Sequence, residues 1–400
     1  MRLISFLGKG KYNETTYSFE NKTWRTSYVV HALASFTNPK EVFLIATDEA
    51  WAEHGASLSK GILLDIEVPV SNQLMIPTKQ VRIPTGGDAQ QLWQMFEVIV
   101  DVIGTSNCPV LLDITHGFRM QPFFAAACIQ YIQSVLPNPP QIRVVYGEYR
   151  GPPDHESPIW ELTPFLEVLS WSQNIMLFLR TGQADGVVEP TEALGREMGQ
   201  QWAVAGRQGA KPQLRTLAQA LQAFSNDFTT IRTGSLLIGN QSSAQRLFGA
   251  IDKTSAEVAK QLPALALVLK QVQDMIEPLR TNGERLSSVK GQRALISLAR
   301  LYQKMGRYSE AISILREGWI TLNAPEGCDM PGTNEFNNGA RIQHDYQWAR
   351  RNGTNPDPVA ELRNDIQHAG FTQQPHTLIW FEQRLENLLA EWSQAIDDMK

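Results

Sequence analysis

A short polar set near the C-terminus has the residue types of phosphoryl chemistry. In "NPDPVAELRNDIQHAGF", four residues separate Arg363 from His368, and Asn364 stands one helical turn before the histidine. A guanidinium is a permanent bidentate clamp for anionic oxygens, and an imidazole exchanges protons near neutral pH. Together they suit phosphodiester chemistry without a metal. An exposed helix face bearing an incidental Arg and His has the same spacing, and spacing alone does not choose between the two.

The element that must position this set is bounded by its own sequence. Asp357 can cap a helix, Pro358 suits its first turn and Gly370 can close it, which predicts about three turns. At roughly 100° per residue, Val359, Leu362, Ile366 and Ala369 form an apolar stripe, with Arg363, Asn364 and His368 pointing away from it. A second cluster, "DITHGFR" over residues 113–119, lies between the apolar run "VLL" and the helical stretch "PFFAAACIQYIQSVL". Asp113, at a strand end, reads as a loop-orienting acceptor. His116 either caps the next helix and holds Asp113 or touches a ligand.

The two clusters fall in halves of different period. Over residues 1–165, strand-like runs such as "RLISFLG", "EVFLIAT", "VRIPTGG", "PVLLDIT" and "QIRVVYGEY" alternate with helical patterns, among them "WRTSYVVHALASF". That alternation predicts a Rossmann-like α/β domain with a mostly parallel sheet. Ligands bind such sheets beyond the carboxyl ends of the strands, where "GKGKYNETT", "TDEA", "PTGG", "DITHGFR" and "YGEYR" gather. "GKGKYNETT" is neither G-x-G-x-x-G nor a P-loop, so neither common nucleotide motif is present. Residues 166–400 read as an all-α domain. Within it "LARLYQKMGRYSEAISILREG" looks like one antiparallel helical hairpin, and "NAPEGCDMPGTNEFNNGARIQHD" is a long loop.

Bulk composition bounds the classes. A chain of 400 residues suggests two domains, and 42% hydrophobic with 19% charged residues is a globular composition. No apolar run approaches the roughly 20 residues of a membrane helix, and the N-terminus lacks a signal-peptide pattern, so a soluble cytoplasmic protein is expected. Cys108, Cys128 and Cys328 are too few and too scattered for a disulfide framework or a zinc site. A net charge of -5 argues against a generic nucleic-acid binder without excluding a local basic cleft. His31, His54, His155 and His376 read as helix, loop or turn histidines, and His344 follows Arg341 too closely for the Arg363–His368 spacing.

"DITHGFR" resembles the D-x-T-H-G signature of CRISPR-associated proteins, and "RNDIQH" resembles the R-x-x-x-x-H ribonuclease motif of HEPN domains. Their order, Rossmann-like first and helical second, is similar to that of CARF-HEPN ribonucleases of type III CRISPR systems. "SFLGKGKYNETTY", "IATDEAW" and "IPTGGDAQQLW" resemble segments of that family too.

This resemblance implies a sensor joined to an effector. A CARF domain would bind a cyclic oligoadenylate, here expected to be cyclic tetra-adenylate, in a cleft across a homodimer or higher homo-oligomer. Binding would activate metal-independent cleavage of single-stranded RNA. Neither a membrane nor a stable protein partner is implied. Gly8, Gly10, Gly86, Gly87 and Gly117 would let backbone N–H groups approach phosphates, and Lys9 and Arg119 would neutralise charge. Asn13, Thr15, Thr16 and Thr115 would hydrogen-bond ribose or base edges, and Trp51 would form a pocket wall. Thr47, Asp113, His116 and Phe118 complete the expected ligand site. In the helical domain Arg363 would stabilise phosphoryl charge, His368 would handle a proton or orient the 2′-OH, and Asn364 would position helix or substrate. A ring nuclease acting on the messenger, or a non-catalytic regulator, are the alternative readings.

Overall fold

The structure is a computed structural model that describes residues 1–58, 76–118, 120–261, 263–324, 327–329, 337–341, 343, 359–371 and 375–399. Arg119, His344, Asp357 and Pro358, which carried expectations above, lie outside the described residues. The chain forms two compact units, Met1–Ser170 and Trp171–Lys400.

In the first unit β1 (Arg2–Leu7), β4 (Glu41–Ala46), β5 (Thr78–Arg82), β6 (Val110–His116) and β7 (Ile142–Gly147) run parallel. β8 (Glu156–Glu161) is antiparallel to β7 and carries a hairpin of β2 (Thr15–Phe19) and β3 (Lys22–Thr26) at its free edge. The strand order is β3-β2-β8-β7-β6-β1-β4-β5. Alternation along each strand divides its side chains between two cores. Leu3 and Leu7 of β1 and Val42, Leu44 and Ala46 of β4 meet Val30 and Leu33 of α1 (Val29–Thr37) on one face. Ile4, Phe6, Phe43 and Ile45 meet Ile99 of α3 (Ala89–Gly104) and Ile129 of α4 (Gln121–Val135) on the other. α2 (Asp48–Leu58) follows β4. With both faces covered, every parallel strand can be apolar throughout.

The mostly parallel Rossmann-like sheet is therefore present, with two local differences. "WRT" is not the start of a helix but the end of β3, and Thr15 and Thr16 stand in a strand rather than a loop. The β2–β3 turn explains the difference: Glu20 (φ 48°) and Asn21 (φ 63°) both take left-handed conformations, as tight two-residue hairpins require.

The second unit is helical, as its period implies. α5 (Thr163–Thr181) leads into it, followed by α6 (Asp185–Val204), α7 (Leu214–Thr229), α8 (Thr233–Leu237), α9 (Ser243–Gln261) and α10 (Pro263–Ile276). Then come α11 (Val289–Lys304), α12 (Tyr308–Asn323), α13 (Ala360–Gln367) and α14 (Leu378–Asp397). Pro263 opens α10, dividing what reads as one helical stretch, because proline suits a first turn and breaks an interior. α11 and α12 form the expected hairpin through a short turn in which Gly306 has φ +70°. A single apolar core, with Phe224, Leu298, Tyr302 and Leu315 at its centre, also takes in Leu362 of α13 and Trp392 of α14.

That core is tight where α12 meets α14. A methyl group on Gly318 would stand 2.1 Å from Cζ2 of Trp392, whose ring is fully buried and whose Nε1 donates to Gln292 Oε1 at 2.8 Å. Alanine normally favours a helix over glycine by about 1 kcal/mol, but overpacking a core costs about 1–3 kcal/mol. Gly318→Ala is expected to lower the urea midpoint of the second unit despite its better helix propensity.

Candidate functional site

β4 and β5 lie on one side of β1 while β6 and β7 lie on the other, so the order of the parallel strands reverses between β1 and β6. Loops leaving the carboxyl ends of those strands open a crevice there. Gly8 and His116 are brought together at its base. A Cβ on Gly8 would lie 2.4 Å from the His116 carbonyl oxygen, so no larger residue fits.

The side chains at this rim divide into an inner group that builds the loops and an outer group that faces solvent. Asp113 is fully buried and accepts from Ser5 Oγ at 2.6 Å and from the Thr115 backbone N–H at 2.9 Å. Burial raises its pKa while these donors oppose the shift. Thr115 donates its hydroxyl to Asp113 and accepts from the Gly147 N–H at 2.8 Å, which ties β6 to β7. Asp113 and Thr115 thus shape the loop, and Asp113 has no surface to offer a ligand. Thr47, also buried, accepts from the Ala50 N–H at 3.2 Å and caps α2. Thr15 bonds Ser157 Oγ at 2.7 Å and Thr16 donates to the Pro153 carbonyl at 2.7 Å, at the hairpin side of the sheet and away from the β1–β6 crevice. Trp51 is half-buried and packs against the α1-side core.

The outer group contains Lys9, Gly10, Asn13, Gly86, Gly87, Gly117 and Phe118, all partly or fully exposed. Lys9 pairs with Glu49, and Arg82 pairs with Asp48, so the acidic first turn of α2 already holds two rim cations. Exposed pairs of this kind are worth about 0–1 kcal/mol, so an anionic ligand can draw Lys9 away at little cost. Backbone N–H groups of Gly86 and Gly87 both point at Gln91 Oε1, at 3.2 and 3.1 Å. At the neighbouring loop Gln121 Oε1 accepts from the Phe118 N–H at 2.8 Å and backs Gly117. Gln121 is completely buried, yet its Nε2 has no partner among the described residues.

Sequence reasoning missed the aromatic stack that fixes this rim. The Tyr12 ring lies between His54 (4.3 Å, 8° between planes) and His116 (3.9 Å, 25°), and its hydroxyl donates to the Gly8 carbonyl at 2.7 Å. Tyr28 Oη lies 3.1 Å from His54 Nδ1. The Val29 N–H, the first donor of α1, points to His116 Nε2 at 3.4 Å. His116 acts here as an uncharged acceptor that holds α1 and Tyr12. Four residues at positions 12, 28, 54 and 116 leave no spacing signal, because only the fold assembles them.

In the second unit α13 presents the other cluster. It is shorter than expected, eight residues from Ala360. Leu362 is fully buried and Ile366 partly so, which anchors the stripe. Ala369 does not belong to that stripe: it is exposed, at φ +51°, just beyond the helix end. Ala369 donates to Ile366 O and Gly370 to Asp365 O, both at 2.9 Å, closing a Schellman cap with the left-handed position at Ala369. Asn364 and His368 are exposed, whereas Arg363 borders the apolar stripe and is partly buried. Five residues apart, Arg363 and His368 diverge by roughly 140° around the helix axis. Arg363 Nη2 donates to Asn364 Oδ1 at 3.3 Å, while its buried Nε has no acceptor among the described residues.

Burial lowers the pKa of His116 from 6.5 to about 4, with the neighbouring His54 as a smaller cause. The folded state therefore binds this proton less readily than the unfolded chain, so stability falls as pH drops from about 6.5 towards about 4. The full effect approaches about 3 kcal/mol. His116→Gln, which keeps an acceptor for Val29, is expected to flatten the denaturation midpoint against pH across that window.

Residues 2–148 match the family described as CRISPR system endoribonuclease Csx1, CARF domain. Among solved structures, Csm6 of Enterococcus italicus bound to cyclic hexa-2′-fluoro-hexa-dAMP is similar at 12% identity and a TM-score of 0.40, covering 99% of this chain and 93% of that one. That likeness is too remote to place residues. A search of curated proteins finds no match. The family match spans β1 to the end of β7 and includes the β1–β6 crevice, so the first unit is the part of the chain that is similar to the Csx1 CARF domain.

Proposed function

We propose that the protein is an endoribonuclease of CRISPR defence, switched on by a cyclic oligoadenylate held at the β1–β6 rim and cutting single-stranded RNA at α13. One observation carries this reading: a CARF-like domain stands on the same chain as a helix that exposes Asn364 and His368 and keeps Arg363 with a buried guanidinium nitrogen that has no acceptor among the described residues.

At the rim, the phosphates of the ring meet Lys9 and the backbone donors of Gly10, Gly86, Gly87 and Gly117. Gln91 Oε1 stands where a phosphate oxygen would, and Glu49 yields Lys9 to it. Thr15, Thr16, Thr47, Asp113 and Thr115 support the loops rather than the ligand. The messenger is cyclic tetra-adenylate in this reading.

At α13 the RNA 2′-OH attacks the adjacent phosphorus, forming a 2′-O–P bond as the P–O5′ bond breaks. The products are a 2′,3′-cyclic phosphate and a 5′-OH, the attacking proton being lost and the leaving oxygen gaining one. His368 serves this transfer or orients the 2′-OH. Arg363 stabilises charge on the phosphoryl oxygens, and Asn364 holds its guanidinium through Oδ1. The divergence of Arg363 from His368 on one helix is met by a composite site in which a second copy, related by a two-fold axis, supplies the complementary residue.

Removing an electrostatic stabiliser of this kind costs about two to three powers of ten in rate. Arg363→Ala and His368→Ala are each expected to reduce cleavage of labelled single-stranded RNA by that factor, while calorimetric binding of cyclic tetra-adenylate stays as in the unaltered chain. Full cleavage activity in either variant contradicts the assignment.

A further inference from the structure

The helical unit holds a basic groove that neither cluster uses. It lies between α6 and the N-terminal half of α7, with a volume of about 870 Å³. Four cations line it, Arg196, Arg207, Lys211 and Arg215, and no Asp or Glu does. Arg196 is partly neutralised by Glu192 at 3.3 Å, but Arg207, Lys211 and Arg215 are exposed and form no ion pair among the described residues. At the rim Glu257 accepts from the Gln213 backbone N–H at 2.8 Å. In a chain of net charge -5, this concentration of positive charge is local.

The backbone keeps the groove open. At Gly195 the helices touch: a Cβ there would lie 2.9 Å from the Arg215 backbone nitrogen and 2.8 Å from its Cγ. Four residues on, a Cβ at Gly199 would meet nothing within 4 Å, so the floor is empty where α6 and α7 separate. Beyond α6 the chain folds back tightly, with Gly206 (φ +72°), Arg207 (φ +60°) and Gly209 (φ +78°) all left-handed. Arg207 N–H donates to the Trp202 carbonyl at 2.9 Å, and the Trp202 indole N–H reaches Gly209 O at 3.3 Å. That turn presents Arg207 and sets the half-buried Trp202 ring along the wall of the same groove.

We propose that this groove is a second nucleic-acid site, which holds a stretch of single-stranded RNA by its phosphates with a base against Trp202. Unpaired cations around an aromatic wall are the chemistry that single strands select, through phosphate neutralisation and base stacking. A cleft of this volume between two helices admits a few nucleotides of one strand and not a duplex. The choice of RNA as the polymer rests on the ribonuclease reading above. The groove then retains substrate independently of the reacting residues on α13.

The test is fluorescence anisotropy of labelled oligouridine on the intact chain carrying His368→Ala, titrated at several salt concentrations. Each phosphate contact contributes about 0.7 to the slope of log affinity against log salt for a single strand. The triple variant Arg207→Gln, Lys211→Gln, Arg215→Gln is expected to flatten that slope by about 2, while cyclic tetra-adenylate binding is unchanged. Trp202→Ala is expected to weaken binding roughly fivefold or more, with recovery in Trp202→Phe. Should the triple variant fold poorly, the three single Gln variants each carry the same slope test, about 0.7 apiece. Unchanged affinity and slope in these variants overturn the proposal, as does equal affinity for a duplex RNA of the same length. Groove-dependent binding without cleavage by the unsubstituted chain supports the groove and refutes the ribonuclease reading. Cleavage with groove-independent binding does the reverse.

Discussion

Where β1 and β6 part, the backbone of Gly8 lies so near the His116 carbonyl that a single added methyl group would stand 2.4 Å from the oxygen. Much of the first unit's rim follows from that approach. It lets the chain leave β1 across the end of β6, which brings Tyr12 over His116 and returns its hydroxyl to the Gly8 backbone. His116, enclosed by Tyr12 and uncharged, is then free to accept from the start of α1, and Asp113 beneath it collects the loop's own donors. A buried carboxylate and a buried imidazole are costly unless bonded, and here each is satisfied by its neighbours rather than by solvent.

This packing separates two meanings that one short motif carries. Asp113, Thr115 and His116 hold the loop in shape, and Gly117 and Phe118 form its outer edge, backed by the buried Gln121. The rim that remains for a ligand is mostly backbone N–H groups and cations with weak partners. Such a surface favours an anion, because Glu49 and Gln91 occupy positions that a phosphate can take over without leaving buried groups unpaired. A messenger shifts a two-state protein only by binding one state more tightly, and exchange of these side-chain partners for phosphate oxygens is a difference of that kind.

Much of the fold was readable in the amino-acid order because continuous apolar strands such as "VFLIA" and "VLLD" have few other uses than a sheet covered on both faces. The β2–β3 hairpin was not, since its signal rests on two left-handed residues, Glu20 and Asn21, that do not advertise a tight turn as Asn-Gly would. α6 was hidden too: it buries few large apolar residues, with Thr191 and Gly195 among its buried positions, so its period is faint. At the sites, residue types announced chemistry but not orientation. Thr15, Thr16 and Thr47 have the right hydroxyls, yet each is engaged by a partner that only the folded chain supplies. Tyr12 and His54, which shape the crevice, belong to no motif. On α13 the stripe was readable through Val359, Leu362 and Ile366, but Ala369 was not, because the Schellman cap turns it out of the helix.

The central claim joins the two units functionally: a ring bound at the β1–β6 crevice governs chemistry at Arg363 and His368. The most direct measurement is the rate of single-stranded RNA cleavage by the intact chain with and without a series of cyclic oligoadenylates, compared with the same chain carrying Gly8→Val. Acceleration by one ring size in the unsubstituted chain, lost when valine displaces the His116 carbonyl, is the result predicted. Cleavage at the same rate with every ring and with none contradicts the account.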